Sequence, residues 1–232
     1  MMPETTSRLD AVIVAAGAGR RMGADKVMMD LGGKPLLAWS GDVLQSCETI
    51  RQIVIVLSSQ NLEAGRRLVA ERGWDKVRAV CPGGERRQDS VRAGLEHLEG
   101  SAYVAIHDGA RPFITRQLLE DGLRAAAATG AAIAAVPARD TVKWSGEGQM
   151  VERTLDRDRV WLVQTPQVFR FDIITDACRK VAADVTDDAA MVELAGGSVK
   201  LYMGSYSNFK ITTPDDLALA RARLAAGGRA AG

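Results

Sequence analysis

The chain has 232 residues, with 30 Lys and Arg against 29 Asp and Glu and a formal net charge of +1. That length fits a single domain, 1–232, with a substantial core, and 47% hydrophobic with 25% charged residues excludes disorder as the main state. The charge balance excludes a whole-surface nucleic-acid binder, so any anionic ligand must be held by locally clustered cations.

The predicted elements alternate. Leu9–Ala15 (LDAVIVA) reads as a buried strand and opens into a Gly-rich loop, 16–26. A helix over 36–47, a strand over 52–57 and a helix over 62–72 follow. Next come the loop 81–90, a helix over 88–98, a strand over 103–106 and the loop 107–112. A helix over 116–129 and a strand over 132–136 complete this part. Near-continuous apolar strands separated by helices imply a parallel sheet covered on both faces, with right-handed crossovers. The expected fold is a three-layer α/β sandwich with a Rossmann-like, mostly parallel sheet. Ligands bind beyond the carboxyl ends of such strands, which selects the three loops just named.

The pattern breaks over 139–169, where 141–144 and 150–154 flank a Gly146-Glu147-Gly148 turn. This segment reads as a β-hairpin arm projecting from the core. Helices over 171–182 and from Thr186 or Asp187 to Ala195 follow, then a strand over 198–203. The last helix has Thr213 as N-cap, Pro214 at its first position and two Asp in its first turn. The tail from 225 is small and polar. The cysteines Cys47, Cys81 and Cys178 form no CxxC pair and are odd in number, so reduced thiols in the cytoplasm are expected. With two histidines, a multi-histidine metal site or a His-dependent relay has little to draw on. No apolar run approaches the ~20 residues of a membrane span, and the start lacks the apolar stretch of a signal peptide.

The first loop packs Arg20, Arg21 and Lys26 behind Gly17, Gly19 and Gly23. The spacing is GxGxxxG, one residue longer than the dinucleotide fingerprint, and no Gly-Lys-Ser/Thr follows. Glycines let backbone N–H groups approach a phosphate, and fixed cations stabilise a phosphoryl-type transition state. The alternative is an ordinary strand–helix turn with solvated basic residues. In the second loop, Asp89 or Ser90 is placed to cap the next helix. In the third, Asp108 and Arg111 form a local ion pair in one reading and meet a ligand in the other, while His107 reads as packed rather than catalytic.

The string AAGAGRRMG followed by Lys26 resembles the signature of nucleotidyltransferases. GGERRQDSV at 83–91, HDGARP at 107–112, RDTVK at 139–143, QTPQ at 164–167, TDDA at 186–189 and KITTPDD at 210–216 are similar, in order, to the 2-C-methyl-D-erythritol 4-phosphate cytidylyltransferase family. The resemblance spans 12–219. It implies transfer of CMP from CTP to methylerythritol phosphate, with in-line attack of the acceptor phosphate on the α-phosphate and no protein nucleophile. It places Ala15, Ala16, Gly17 and Gly19 on the triphosphate, and Arg20 and Lys26 on the α-phosphate. Gly84, Glu85 and Ser90 fall at the cytosine, and Asp108 at the ribose or the acceptor. Arg111, Thr141, Arg157, Thr165, Thr186 and Lys210 fall at the acceptor, with Arg157 and Lys210 counted as catalytic.

The same resemblance implies Mg²⁺ held mainly by CTP, with no protein ligand singled out, and a homodimer whose arms cross a two-fold axis. Two departures stand out: Val14 where many members have Pro, and Val27-Met28-Met29 where many have Gln and an aromatic residue. A sister enzyme acting on ribitol 5-phosphate is the nearest alternative. A non-catalytic nucleotide-binding module is the other, and it would not require Arg20, Lys26, Arg157 and Lys210 to be retained.

Overall fold

In the computed structural model, which describes residues 9–17 and 26–227, strands and helices alternate up to Pro137. They are β1 (Leu9–Ala15), α1 (Leu36–Ser46), β2 (Ile50–Leu57), α2 (Leu62–Arg72), β3 (Val77–Pro82), α3 (Arg87–Leu95), β4 (Tyr103–Asp108), α4 (Arg116–Thr129) and β5 (Ala131–Pro137). An exposed hairpin of β6 (Lys143–Ser145) and β7 (Val151–Thr154) follows. The chain then returns as β8 (Trp161–Arg170), α5 (Phe171–Lys180), α6 (Asp188–Leu194), β9 (Lys200–Met203) and α7 (Pro214–Ala225). Seven strands form one sheet in the order β3-β2-β1-β4-β8-β5-β9. All neighbours run parallel except β8, which is antiparallel to both β4 and β5.

Period-two alternation explains the layers. On β1, Leu9, Ala11 and Ile13 face one core with Leu37, Leu44, Leu118 and Leu119 of α1 and α4. Val12 faces the other, with Val91 and Leu95 of α3 and Ile174 of α5. These side chains are fully or nearly fully buried, and each Leu, Ile or Val contributes roughly 1.5–3 kcal/mol. Local signals set the ends. Thr115 Oγ1 accepts from Leu118 N–H at 3.2 Å to start α4, and Gly130 at φ +86° ends it. At α7, Thr213 Oγ1 accepts from Asp216 N–H at 3.3 Å and Pro214 occupies the first position, as the sequence predicts.

The structure differs from the sequence reading in two strands. Val77–Pro82 is an edge strand, only partly buried, so it lacks the apolar run that marks its neighbours. The larger difference lies in the 139–169 segment. Its last part is the central strand β8, and the exposed hairpin is confined to β6 and β7. Pro166 hides β8, because proline cannot donate to a ladder and argues against a central strand. Here Val163 pairs with Ala135 and Gln167 with Ile133, so β8 bulges past β5 where Pro166 lies. The bulge delivers Gln164 and Thr165 to the end of the sheet where β1 and β4 finish.

Candidate active site

The strand order reverses between β1 and β4, since β1 continues to β2 on one side and meets β4 on the other. A crevice beyond the carboxyl ends of these strands is the expected result. Two adjoining clefts occupy it, of about 390 and 460 Å³.

The first cleft lies between the backbone leaving β1, at Ala15, Ala16 and Gly17, and the loop carrying Gly84, Glu85 and Ser90. These walls approach so closely that a Cβ on Gly83 would lie 2.3 Å from the Ala16 methyl and 2.6 Å from Ser90 Oγ. Only glycine fits there. Ser90 Oγ accepts from Gly84 N–H at 3.1 Å and lies 3.2 Å from the Arg86 carbonyl, so it shapes the loop. Asp89 accepts from Arg86 N–H at 3.2 Å, which bears out its capping role. Lys26 lines the same cleft, and its Nζ donates to the Ile211 carbonyl at 2.9 Å, tying the first loop to the β9–α7 connection. Arg20 and Gly19 lie outside the described residues.

The second cleft is lined by Arg111, Thr165 and Thr186 among others. Arg87, Asp108 and Lys210 line both clefts and form the wall they share. Asp108, at the end of β4, pairs with Arg87, with Lys210 Nζ at 2.9 Å and with Arg111 Nε at 3.3 Å. Burial would raise its pKa, but Arg87, Lys210 and Arg111 together hold it well below the usual carboxylate range. Asp108 therefore stays ionised and keeps three cations at the cleft floor. Arg87 also forks to Asp188, Nε to Oδ1 at 3.2 Å and Nη2 to Oδ2 at 2.7 Å. Burial alone would lower the Arg87 pKa; the two carboxylates raise it. Burial pushes Asp188 up, opposed by Arg87.

Behind the wall, His107 is fully buried and hydrogen-bonded, as the packed reading requires. Burial drives its pKa down to about 4, so the ring is neutral near pH 7. The Arg111 carbonyl, 3.1 Å from Nε2, can only accept, which places the proton on Nε2. Nδ1 then accepts from the Thr165 hydroxyl at 3.0 Å, and Thr165 Oγ1 accepts from Asp108 N–H at 3.0 Å. Asn208 Nδ2 donates to the Thr165 carbonyl at 2.7 Å, and Arg111 Nη1 to the Asn208 carbonyl at 2.8 Å.

The chain does not bring every predicted residue to the clefts. Thr141 and Arg157 are exposed at the foot of the hairpin and line neither cleft. Arg157 Nη1 donates to the Arg139 carbonyl at 3.1 Å. Sequence reasoning missed the roles of Arg87, Asp188 and Asn208. Arg87 and Asp188 lay within the motifs GGERRQDSV and TDDA, but nothing in spacing tells that two segments a hundred residues apart share an ion pair. Among the described residues no group of three or more His, Cys, Asp or Glu side chains is arranged to hold a metal ion. The oxygens of Asp108 are already taken by cations. The donor set therefore fits a divalent ion carried by ligand phosphates rather than by a protein cage.

A glycine-walled cleft joined to a cation-floored one at the switch point of a doubly wound sheet is a site suited to phosphorylated ligands. The model of the family described as IspD, 2-C-methyl-D-erythritol 4-phosphate cytidylyltransferase, matches residues 9–226. The chain belongs to that family. It is 48% identical over 221 residues to the 2-C-methyl-D-erythritol 4-phosphate cytidylyltransferase of Dehalococcoides mccartyi, covering 95% of this chain and 97% of the relative. The corresponding protein of Pelotomaculum thermopropionicum is 44% identical over 226 residues, covering 94% and 95%. The crystal structure of 4-diphosphocytidyl-2C-methyl-D-erythritol synthase from Anaerococcus prevotii superposes with a TM-score of 0.85 at 32% identity, covering 95% of this chain and 97% of that one. That of the Thermus thermophilus cytidylyltransferase does so with 0.76 at 32% identity, covering 93% and 98%.

Proposed function

We infer that this chain transfers CMP from CTP to 2-C-methyl-D-erythritol 4-phosphate, forming CDP-methylerythritol and pyrophosphate. The observation that carries this reading is the wall of Arg87, Asp108 and Lys210 shared by two clefts, each large enough for a phosphorylated small molecule. The first cleft takes the nucleotide. Backbone N–H groups of Ala15, Ala16, Gly17 and Gly19 cradle its phosphates, Gly84, Glu85 and Ser90 meet cytosine, and Arg20 and Lys26 stabilise charge on the α-phosphate. The second takes the acceptor, with Arg111, Thr165, Thr186 and Lys210 around it and Asp108 holding Lys210 in place.

A phosphate-monoester oxygen of the acceptor attacks the α-phosphorus in line. The new P–O bond forms as the bond to the β-phosphate oxygen breaks, and pyrophosphate leaves with that electron pair. A phosphate monoester is already largely ionised near neutral pH, so no protein base is required. Positioning and fixed cations do the work. Mg²⁺, held mainly by the triphosphate oxygens, supplies charge neutralisation there when bound.

The active form we propose is a homodimer. Trp144 (52% exposed), Met150 (71%) and Val151 (58%) on the hairpin, with Leu162 at the start of β8 and Met203 at the end of the edge strand β9, leave apolar surface open in the protomer. An isolated two-stranded hairpin is marginal in water and gains most by packing on a partner. A crossed arm would carry Thr141 and Arg157 to the acceptor of the partner's site. Free, buried Cys47, Cys81 and Cys178 suit a reducing cytoplasm, and no helix among the described residues is long and apolar enough to cross a membrane.

The deciding assay supplies purified protein with CTP, Mg²⁺ and either methylerythritol phosphate or ribitol 5-phosphate. Pyrophosphate release with the first is expected. Release only with ribitol 5-phosphate moves the chain to the sister activity, and release with neither ends the enzymatic reading. Sedimentation at micromolar concentration should give twice the protomer mass.

A further inference from the structure

The segment from Val181 to Asp187 leads into α6, carries Thr186, and forms neither helix nor strand. Most of it is open to solvent, so its position depends on side-chain contacts rather than on a backbone ladder. Three consecutive side chains at the start of α3, Arg86 to Gln88, hold this segment and the first residue of α6. Arg86 Nη1 donates to the Ala182 carbonyl at 3.1 Å and pairs with Asp184 at 3.0 Å. Gln88 Nε2 donates to the Ala183 carbonyl at 3.0 Å, while Gln88 Oε1 accepts from Val185 N–H at 3.3 Å. Arg87 closes the set on Asp188.

The three contacts differ in what they can do. The Arg86–Asp184 pair is solvent-exposed and therefore weak. Arg87 lines both clefts, so its effects mix with substrate contact. Gln88 is 2% exposed and lines neither cleft. Its amide grips the backbone on both sides of Asp184, as a neighbouring strand would, and Thr186 follows directly after the gripped Val185.

We propose that Gln88 is a positioning residue for the acceptor: by clamping Ala183 and Val185 it fixes where Thr186 stands in the acceptor cleft. This rests on the reading of the second cleft as the acceptor site. It means that a residue of the nucleotide-side helix α3 sets acceptor affinity without touching either substrate. Removing the amide leaves the Ala183 carbonyl and the Val185 N–H to water, which satisfies them without holding the segment in one place.

The test uses the full-length Gln88→Ala protein in steady-state assays with CTP and methylerythritol phosphate, together with amide hydrogen exchange over 181–187 without substrate. The acceptor KM should rise about ten-fold, with the CTP KM within two-fold and kcat within about three-fold of the parent. The amides of 181–187 should exchange faster while those of β1 do not change. Gln88→Glu keeps the acceptor for Val185 N–H but sets a carboxylate oxygen against the Ala183 carbonyl, and should loosen the segment at least as much as Gln88→Ala. Equal rises in both KM values, or unchanged exchange over 181–187, overturn the proposal. If Gln88→Ala does not fold, Gln88→Asn keeps the amide on a side chain one methylene shorter and tests the same two bonds. It should raise the acceptor KM two- to three-fold with faster exchange in the same segment, and a flat result there also overturns the clamp. An inactive parent protein would count against the acceptor reading alone, because the exchange measurement tests the clamp without turnover.

Discussion

The cleft floor and the hairpin foot both carry charged residues predicted to handle the acceptor, yet the protomer treats them in opposite ways. Asp108 is 5% exposed, bound by three cations, and sits on a strand with neighbours on both sides. Arg157 and Thr141 are exposed, and Arg157 is held by one bond to a backbone carbonyl. A group on a central strand has its position paid in advance by the core. A group on a two-stranded hairpin acquires one only when another surface covers it. The floor is thus preorganised within one chain, whereas the arm's contribution is proposed to arrive with a partner.

The strongest way to break this contrast is Asp108→Asn. The change keeps the shape but leaves Lys210 and Arg111 without their counter-charge. Loss of one partner from a buried charge cluster costs about 3–5 kcal/mol, so thermal unfolding should move down by several degrees and turnover should collapse. An unchanged midpoint would show the floor is not electrostatically built. Next in size, Lys26→Ala should cut kcat/KM by two orders of magnitude or more, roughly 3 kcal/mol of transition-state stabilisation, with the circular dichroism of the folded protein preserved. Near-normal turnover would remove Lys26 from the chemistry.

His107 sharpens the same contrast through acidity. Its folded pKa is about 4, against about 6.5 for an unfolded histidine. Between those values the unfolded chain takes up a proton that the folded chain refuses. Stability should therefore fall by about 3 kcal/mol as pH drops from 6.5 to 4, and this contribution does not vary above 6.5. His107→Gln, which can still donate to Arg111 and accept from Thr165, should flatten that part of the denaturation profile. The smallest effect is expected at the arm. Arg157→Ala should raise the acceptor KM about ten-fold with no change in thermal midpoint or CTP KM. A fall in protomer stability instead would place Arg157 in the core framework.

The first half of the fold, the edge strand β3 excepted, could be read directly. β1, α2 and α4 have the ends that the apolar runs and caps predict, because local periodicity and capping act within a few residues. The Gly-rich loop, Ser90, Asp108, Arg111, Thr165, Thr186 and Lys210 could be nominated from motifs, and those the structure describes line the two clefts. β8 could not, because Pro166 contradicts a central strand by every local rule, and only pairing on both sides with a register shift accommodates it. Arg87 was equally hidden. In sequence it is one cation in a basic run, and its two carboxylates lie 21 and 101 positions away.

By itself, the sequence determined the alternation of strands and helices, the three loops at the strand ends, and the types of side chain available to bind phosphates. Those properties follow from steric preference, burial and charge, which act locally. The tertiary structure decided which of 30 cations meet which acids. It placed Arg87, Asp108 and Lys210 between two clefts, closed Gln88 on a distant backbone, and left Arg157 on the surface. Such pairings depend on sheet order and on what burial removes from water, and neither is written at any one position of the chain.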